Sequence, residues 1–321
     1  MKKLIALILT LATLCAALFA LTSCLPTSQL KIGYMTGPTG MGMAKLVHDN
    51  GGLEAGNEKY QFNKYTDTSL ALLDLVKGDV DIVCLPTNEA ANNYNADYDE
   101  LTVLSINTLG SVYLITNGVE IDSFVELEGQ TIYTCLKGTP RLILEYLLDE
   151  AGVNATVVTE FDEATINTPE DLKNTLVNKN GISIAVAPEP VVTAVTSAKP
   201  QYSVALNLND VWNDFAVTPL AMGCVVSTKE FVDNNKNAVD KFLSEYKASI
   251  EFIDSAANIE LSAQYVVDAG VMAAVGAAKK ALNNLRGSIA YIDGEVMKSA
   301  LIGFYTAIGV GLPDDTFYYE K

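Results

Sequence analysis

Lys31-Ile32-Gly33-Tyr34-Met35-Thr36-Gly37-Pro38-Thr39-Gly40-Met41-Gly42-Met43-Ala44-Lys45-Leu46 reads as a strand, a glycine-rich turn and the start of a helix. The apolar run Leu30–Met35 predicts the strand, glycines at 37, 40 and 42 mark the turn, and apolar periodicity predicts a helix from about Thr39 to Asp49. The same order returns further along. Pro38 and Pro86 are 48 residues apart, and so are Pro140 and Pro188. A shift of 102 lays Gly138-Thr139-Pro140 on Thr36-Gly37-Pro38, and Ile184-Ala185-Val186-Ala187-Pro188 on Ile82-Val83-Cys84-Leu85-Pro86. Identity across the shift is low, so the repeat is architectural and no solenoid is implied.

Between these anchors β-branched runs alternate with helical patterns. Strands are expected near Tyr60–Tyr65, Val80–Leu85, Thr102–Ile106, Gln130–Cys135, Thr156–Glu160, Ile182–Ala187 and Leu220–Ser227. Alternating β and α segments predict an α/β fold with mostly parallel sheets. The expected architecture is two similar α/β lobes joined by a two-crossing hinge, with a ligand cleft between them. Residues 30–117 and 222–321 are assigned to lobe 1, and 118–221 to lobe 2. Strand carboxyl ends and interdomain crevices are where open α/β proteins take small molecules.

Of 321 residues, 49% are hydrophobic and 19% charged, as in a globular protein of about two domains. The net charge of −18 leaves no basic footprint for nucleic acid. One histidine, His48, cannot build a His-rich metal site or a His-dependent relay. No cofactor and no metal are expected. Cys84, Cys135 and Cys224 lie in strand-like apolar runs and are read as free, buried thiols.

The amino terminus carries Lys2-Lys3, an apolar run Leu4–Leu21, and Leu21-Thr22-Ser23-Cys24. This looks like a lipoprotein signal over 1–23, with Cys24 as the lipidated new first residue and 24–29 as a tether. An uncleaved membrane anchor is the competing reading, since the apolar run is about long enough to span. The body is expected to be extracytoplasmic, held to the membrane through the lipid on Cys24, and a monomer.

Four stretches, in this order, resemble ABC-transporter solute-binding lipoproteins of the nitrate/sulfonate/taurine-type branch: Lys31–Leu46, Gly78–Asn88, Val125–Tyr133 and Ala187–Pro190. The resemblance implies the type II periplasmic-binding-protein fold. It also implies a receptor that hands a small-molecule solute to an ABC permease and its ATPase. A ligand-sensing lipoprotein without transport is the alternative. An enzyme related to thiamine-pyrimidine synthases is a weaker one, because their Cys-rich motif is absent and no Ser-His-Asp or Cys-His set can be assembled from one histidine.

Candidate ligand contacts follow from the cleft. In the first loop they are Tyr34, Thr36, Thr39, Gly40 and Met41, where glycines allow close backbone approach and the following helix aims N–H groups at a ligand. Tight turning alone explains those glycines equally well. After the next strands come Thr87 and Asn88, then Asn107 and Thr108. In lobe 2 they are Lys137, Gly138, Thr139, Arg141 and Glu189. Thr139 can instead cap its helix. Arg141 can pair with a nearby Glu, and Glu189 can cap the helix after it. Trp212, like Tyr34, is either an aromatic wall or core. Few cations and several apolar neighbours favour a small organic solute with one anionic or polar end over nitrate.

Overall fold

The computed structural model describes residues 29–53 and 59–320. The signal, Cys24 and most of the tether lie outside the described residues. Among the described residues no helix is long and apolar enough to cross a membrane.

The first lobe begins with β1 (Leu30–Met35), α1 (Pro38–Met41), α2 (Ala44–Asp49), β2 (Tyr60–Tyr65), α3 (Thr68–Lys77), β3 (Ile82–Pro86), α4 (Thr87–Ala96) and β4 (Leu101–Thr108). The second contains β5 (Val112–Asn117), β6 (Thr131–Tyr133), α5 (Thr139–Ala151), β7 (Thr156–Val158), the hairpin β8 (Glu160–Phe161) and β9 (Ala164–Thr165), and α6 (Pro169–Asn178). It continues through β10 (Ile184–Pro188), α7 (Val191–Ala198), β11 (Tyr202–Asn207) and α8 (Leu208–Phe215). The chain then returns with β12 (Gly223–Thr228), α9 (Lys229–Asn234), α10 (Lys236–Ile253), α11 (Ile259–Asp268), α12 (Val275–Asn284), β13 (Ile289–Ile292) and α13 (Gly294–Ala307).

The two large sheets have orders β13-β4-β12-β3-β1-β2 and β11-β5-β10-β6-β7. Apart from β13 they share one plan. β1 pairs in parallel with β2 and β3, as β6 does with β7 and β10. β12 then runs antiparallel beside β3, and β5 antiparallel beside β10. These reversed strands make each sheet mixed. Their direction follows from the crossings: Val112 opens β5 opposite Pro188, and Gly223 opens β12 opposite Pro86. Each crossing delivers the chain to the carboxyl end of the other sheet, so the next strand must run back.

Val112–Asn117, expected in lobe 1, is therefore the first strand of the second sheet. The first crossing is the short link between Thr108 and Val112, and the second runs from Phe215 to Gly223. The helix expected over Thr39–Asp49 is also two pieces, α1 and α2. The Ser249 hydroxyl of α10 donates to the Gly42 carbonyl at 2.6 Å and accepts from Leu46 N–H at 3.1 Å. It thus takes the place of the i→i+4 bond that would have joined them.

One apolar cluster lies between α10–α12 and one face of the first sheet, where Ile32, Ile82 and Phe242 are buried. Another joins α6 and α7 to the second sheet. The largest runs through both lobes and includes Leu85, Leu144, Trp212 and Phe304. Cys84, Cys135 and Cys224 are free and buried, as expected. Burial pushes the Cys84 thiol up to about 12 and that of Cys135 to about 11, so neither is a thiolate near neutral pH.

Candidate functional site

The carboxyl ends of β1, β3, β6 and β10 converge on a cleft of about 330 Å³ between the lobes. In each sheet this is the point where strand order reverses, the usual ligand crevice of an open α/β sheet. Its volume suits a small molecule.

Of the expected contacts, Thr36, Thr39, Asn88, Thr108, Lys137, Gly138, Thr139 and Glu189 line the cleft. The other seven do not. Tyr34 shares the helix-facing side of β1 with Leu30 and Ile32, is fully buried, and donates to the Ala269 carbonyl at 2.7 Å. Met41 is core. Gly40 lies beneath the loop, where a Cβ would stand 1.9 Å from the Met35 carbonyl oxygen. Thr87 donates from its hydroxyl to the Ala221 carbonyl at 2.6 Å, tying α4 to the second crossing. Asn107 supports the site from behind, its amide donating to the Thr39 carbonyl at 3.2 Å.

Arg141 is turned along its helix. Its guanidinium reaches the Glu145 carboxylate at 2.7 Å and the Leu136 carbonyl at 3.2 Å. This is the ion pair that the competing reading expected, and the i,i+4 spacing explains it. Trp212 is fully buried between Tyr146 and Phe304, with its indole N–H donating to the Thr218 carbonyl at 2.7 Å. It packs the hinge. His48 stacks on Tyr265 at 3.8 Å.

Of the longer helices that start at the cleft, α3 and α6 are capped by the side chains of Asp67 and Thr168, which leaves α5 and α4 with uncapped starts. α5 begins at Gly138, which sits in the cap position with no side chain to offer, so Thr139 is its first turn and not its cap. The Lys137 side chain stands immediately before it. α4 starts across the cleft without a capping side chain, and Glu89 in its first turn already complements its dipole. α1 has only four residues. The loop from which anion affinity was expected therefore lacks a helix able to supply it.

Among the described lining residues Lys137 is the only cation, and it makes no salt bridge. Asn88 is buried, its amide N–H donates to Glu89 at 3.3 Å, and its Oδ1 accepts no hydrogen bond. Glu189 lines the cleft yet is only 1% exposed. Its carboxylate accepts from the Thr193 hydroxyl at 3.0 Å and the Thr193 N–H at 3.2 Å, so it does cap α7. Burial raises its pKa, opposed by hydrogen bonds from Asn284 and Thr193 and by the charge of Lys280. Among the described residues no group of three potential metal ligands forms.

The walls missed in the sequence are mostly apolar, among them Pro86, Pro140, Pro188 and Met222, with Thr68, Glu89 and Ser111 the polar exceptions. Pro86 and Pro188 were visible in the repeat as the residues that follow its expected strands; the structure includes each as the last residue of its strand. Met222 and Ser111 come from the two crossings, held together by Ser111 Oγ donating to Met222 Sδ at 3.3 Å, and no local pattern marks them.

By sequence the chain matches no protein-family description and no curated protein. By structure it is similar to an ABC transporter protein of Parabacteroides distasonis, with a TM-score of 0.72 and 21% identity over 92% of this chain and 99% of that one. It also resembles the periplasmic aliphatic sulphonate binding protein SsuA of Escherichia coli, with a TM-score of 0.67 and 15% identity over 91% and 92% of the two chains. A third similar structure is the periplasmic nitrate-binding protein NrtA of Synechocystis PCC 6803, with a TM-score of 0.61 and 15% identity over 90% and 83%. The two-lobed fold is thus that of periplasmic binding proteins.

Proposed function

We propose that this chain is the extracytoplasmic solute-binding receptor of an ABC importer. It captures a small organic solute with an anionic or polar end and passes it to a permease driven by an ATPase. The observation that carries the reading is the interlobe cleft itself. Its lone cation among the described residues, Lys137, stands at the uncapped start of the 13-residue helix α5, facing walls of proline and methionine. A helix start and an adjacent ammonium favour an anionic group there, and the apolar walls favour an organic body beside it. Sulphonate and nitrate are named for two proteins of the same fold. A bare inorganic anion needs several donors, so one lysine supports the organic class. No aromatic ring lines the cleft among the described residues, which supports an aliphatic body over a stacked heterocycle. Lipid on Cys24 would hold this receptor, acting as a monomer, at the membrane surface. The reading makes the chain a binder and assigns it no chemistry.

Calorimetric titration with alkyl sulphonates, short carboxylates, nitrate and pyrimidines tests the assignment. An aliphatic, anion-ended compound is expected to bind one per chain. Silence from every class would overturn it.

A further inference from the structure

Away from the hinge, the lobes also meet along α12. This helix packs on α11 of the first lobe and touches α7 of the second. Its last residue, Asn284, donates from Nδ2 to Glu189 Oε1 at 2.6 Å, and its carbonyl accepts from the Tyr113 hydroxyl of β5 at 2.6 Å. One turn earlier, Lys280 Nζ donates to Thr196 Oγ1 at 2.7 Å. All three bonds cross the seam. Separating the lobes would strip Glu189 of its donor from the first lobe and leave only Thr193, on its own side.

We propose that Asn284 is a positioning residue for solute capture: it clasps Glu189 and Tyr113 across the seam and sets how much of the solute-free protein is closed. The proposal rests on the receptor reading above, taken as a two-lobe clamp that closes about the hinge on its solute. It gives Glu189, a cleft-lining carboxylate, a structural task in place of direct ligand contact. A clasp of this kind raises apparent affinity, because solute then finds a larger closed fraction.

The test is an interlobe distance measured without solute in the full chain. Fluorophores on non-natural residues replacing Ser69 and Glu170 flank the cleft mouth, next to the lining residues Thr68 and Pro169 of opposite lobes. Asn284→Ala should lower energy transfer relative to wild type, and Lys280→Ala should lower it less. Glu189→Gln keeps an acceptor for Asn284 and should stay at the wild-type value. Asn284→Asp should open near neutral pH, where two carboxylates face each other, and close again in acid once they share a proton. The titratable groups facing that pair are Lys280 of α12, Tyr113 of β5 and, beyond it, Asp210 of α8, with Lys137 and Glu89 in the same cleft.

Wild-type transfer in Asn284→Ala, or equal opening of Asn284→Ala and Glu189→Gln, would overturn the clasp. If the clasp fails but the clamp stands, a compound from the solute panel still raises transfer in the wild type. If the panel is silent, the shift in Asn284→Ala still decides the clasp.

Discussion

Gly37 and Gly138 hold the same backbone conformation, φ 98°, ψ −165° and φ 92°, ψ 179°, each at the start of the helix that follows the matching strand of its sheet, β1 and β6. That region of conformational space is essentially closed to residues with a Cβ. The two loops of the cleft are therefore one device used twice. The prolines behind them fall at different offsets, Pro38 directly after its glycine and Pro140 two residues on.

Alanine at either glycine should cost about 1–3 kcal/mol, because the backbone must be strained or the loop must move. Space is not the obstacle: a Cβ at Gly37 would meet Pro190 at 3.7 Å and one at Gly138 would meet Pro140 at 3.6 Å, ordinary contacts. Urea unfolding of Gly37→Ala and Gly138→Ala checks this. Wild-type midpoints for both would show that the conformation is not required.

Trp212 is the only tryptophan, so intrinsic fluorescence reports the hinge. The emission should be blue-shifted and shielded from acrylamide. Trp212→Ala should cost about 3–5 kcal/mol through the cavity left between Tyr146 and Phe304. Ready quenching in the native state would contradict this packing.

Glu189 predicts a pH dependence of definite sign. Its pKa is raised on folding, so above the ordinary glutamate value the native state holds a proton that the unfolded chain has released. Its contribution is present below that value, about 4.3, and is lost as pH rises through the folded value. The stability difference between wild type and Glu189→Gln should therefore shrink with rising pH and then level off. The amide loses one bond to the Thr193 N–H, a constant offset. A difference that grows with pH would refute the assignment.

Much of this was legible locally. The 48-residue proline spacing marked Pro86 and Pro188, which do end β3 and β10 at the cleft. Side-chain alternation puts Tyr34 on the face of Leu30 and Ile32, so its burial was readable from β1 alone. Arg141 and Glu145 carried an i,i+4 signal. What escaped is non-local. Val112–Asn117 follows β4 with no helix between, and only its pairing with β10 and β11 shows which sheet it joins. Asn284 meets Glu189 across 95 positions of sequence, and nothing near either residue announces the other.

Membrane attachment is tested by Cys24→Ala. If the lipid on this thiol is the anchor, the variant leaves the membrane fraction and appears in the soluble one. A variant that stays membrane-bound and unprocessed would mean that the apolar run Leu4–Leu21 is itself the anchor.

The most direct test of the receptor reading is a thermal-shift comparison of wild type, Lys137→Met and Arg141→Ala against the same panel of sulphonates, carboxylates, nitrate and pyrimidines. A true solute at 100 times its dissociation constant adds about 2.7 kcal/mol of stability. The account predicts that an aliphatic, anion-ended compound stabilises wild type and Arg141→Ala alike and loses most of its effect in Lys137→Met. Stabilisation by nitrate alone, or a shift that survives in Lys137→Met and vanishes in Arg141→Ala, would contradict it.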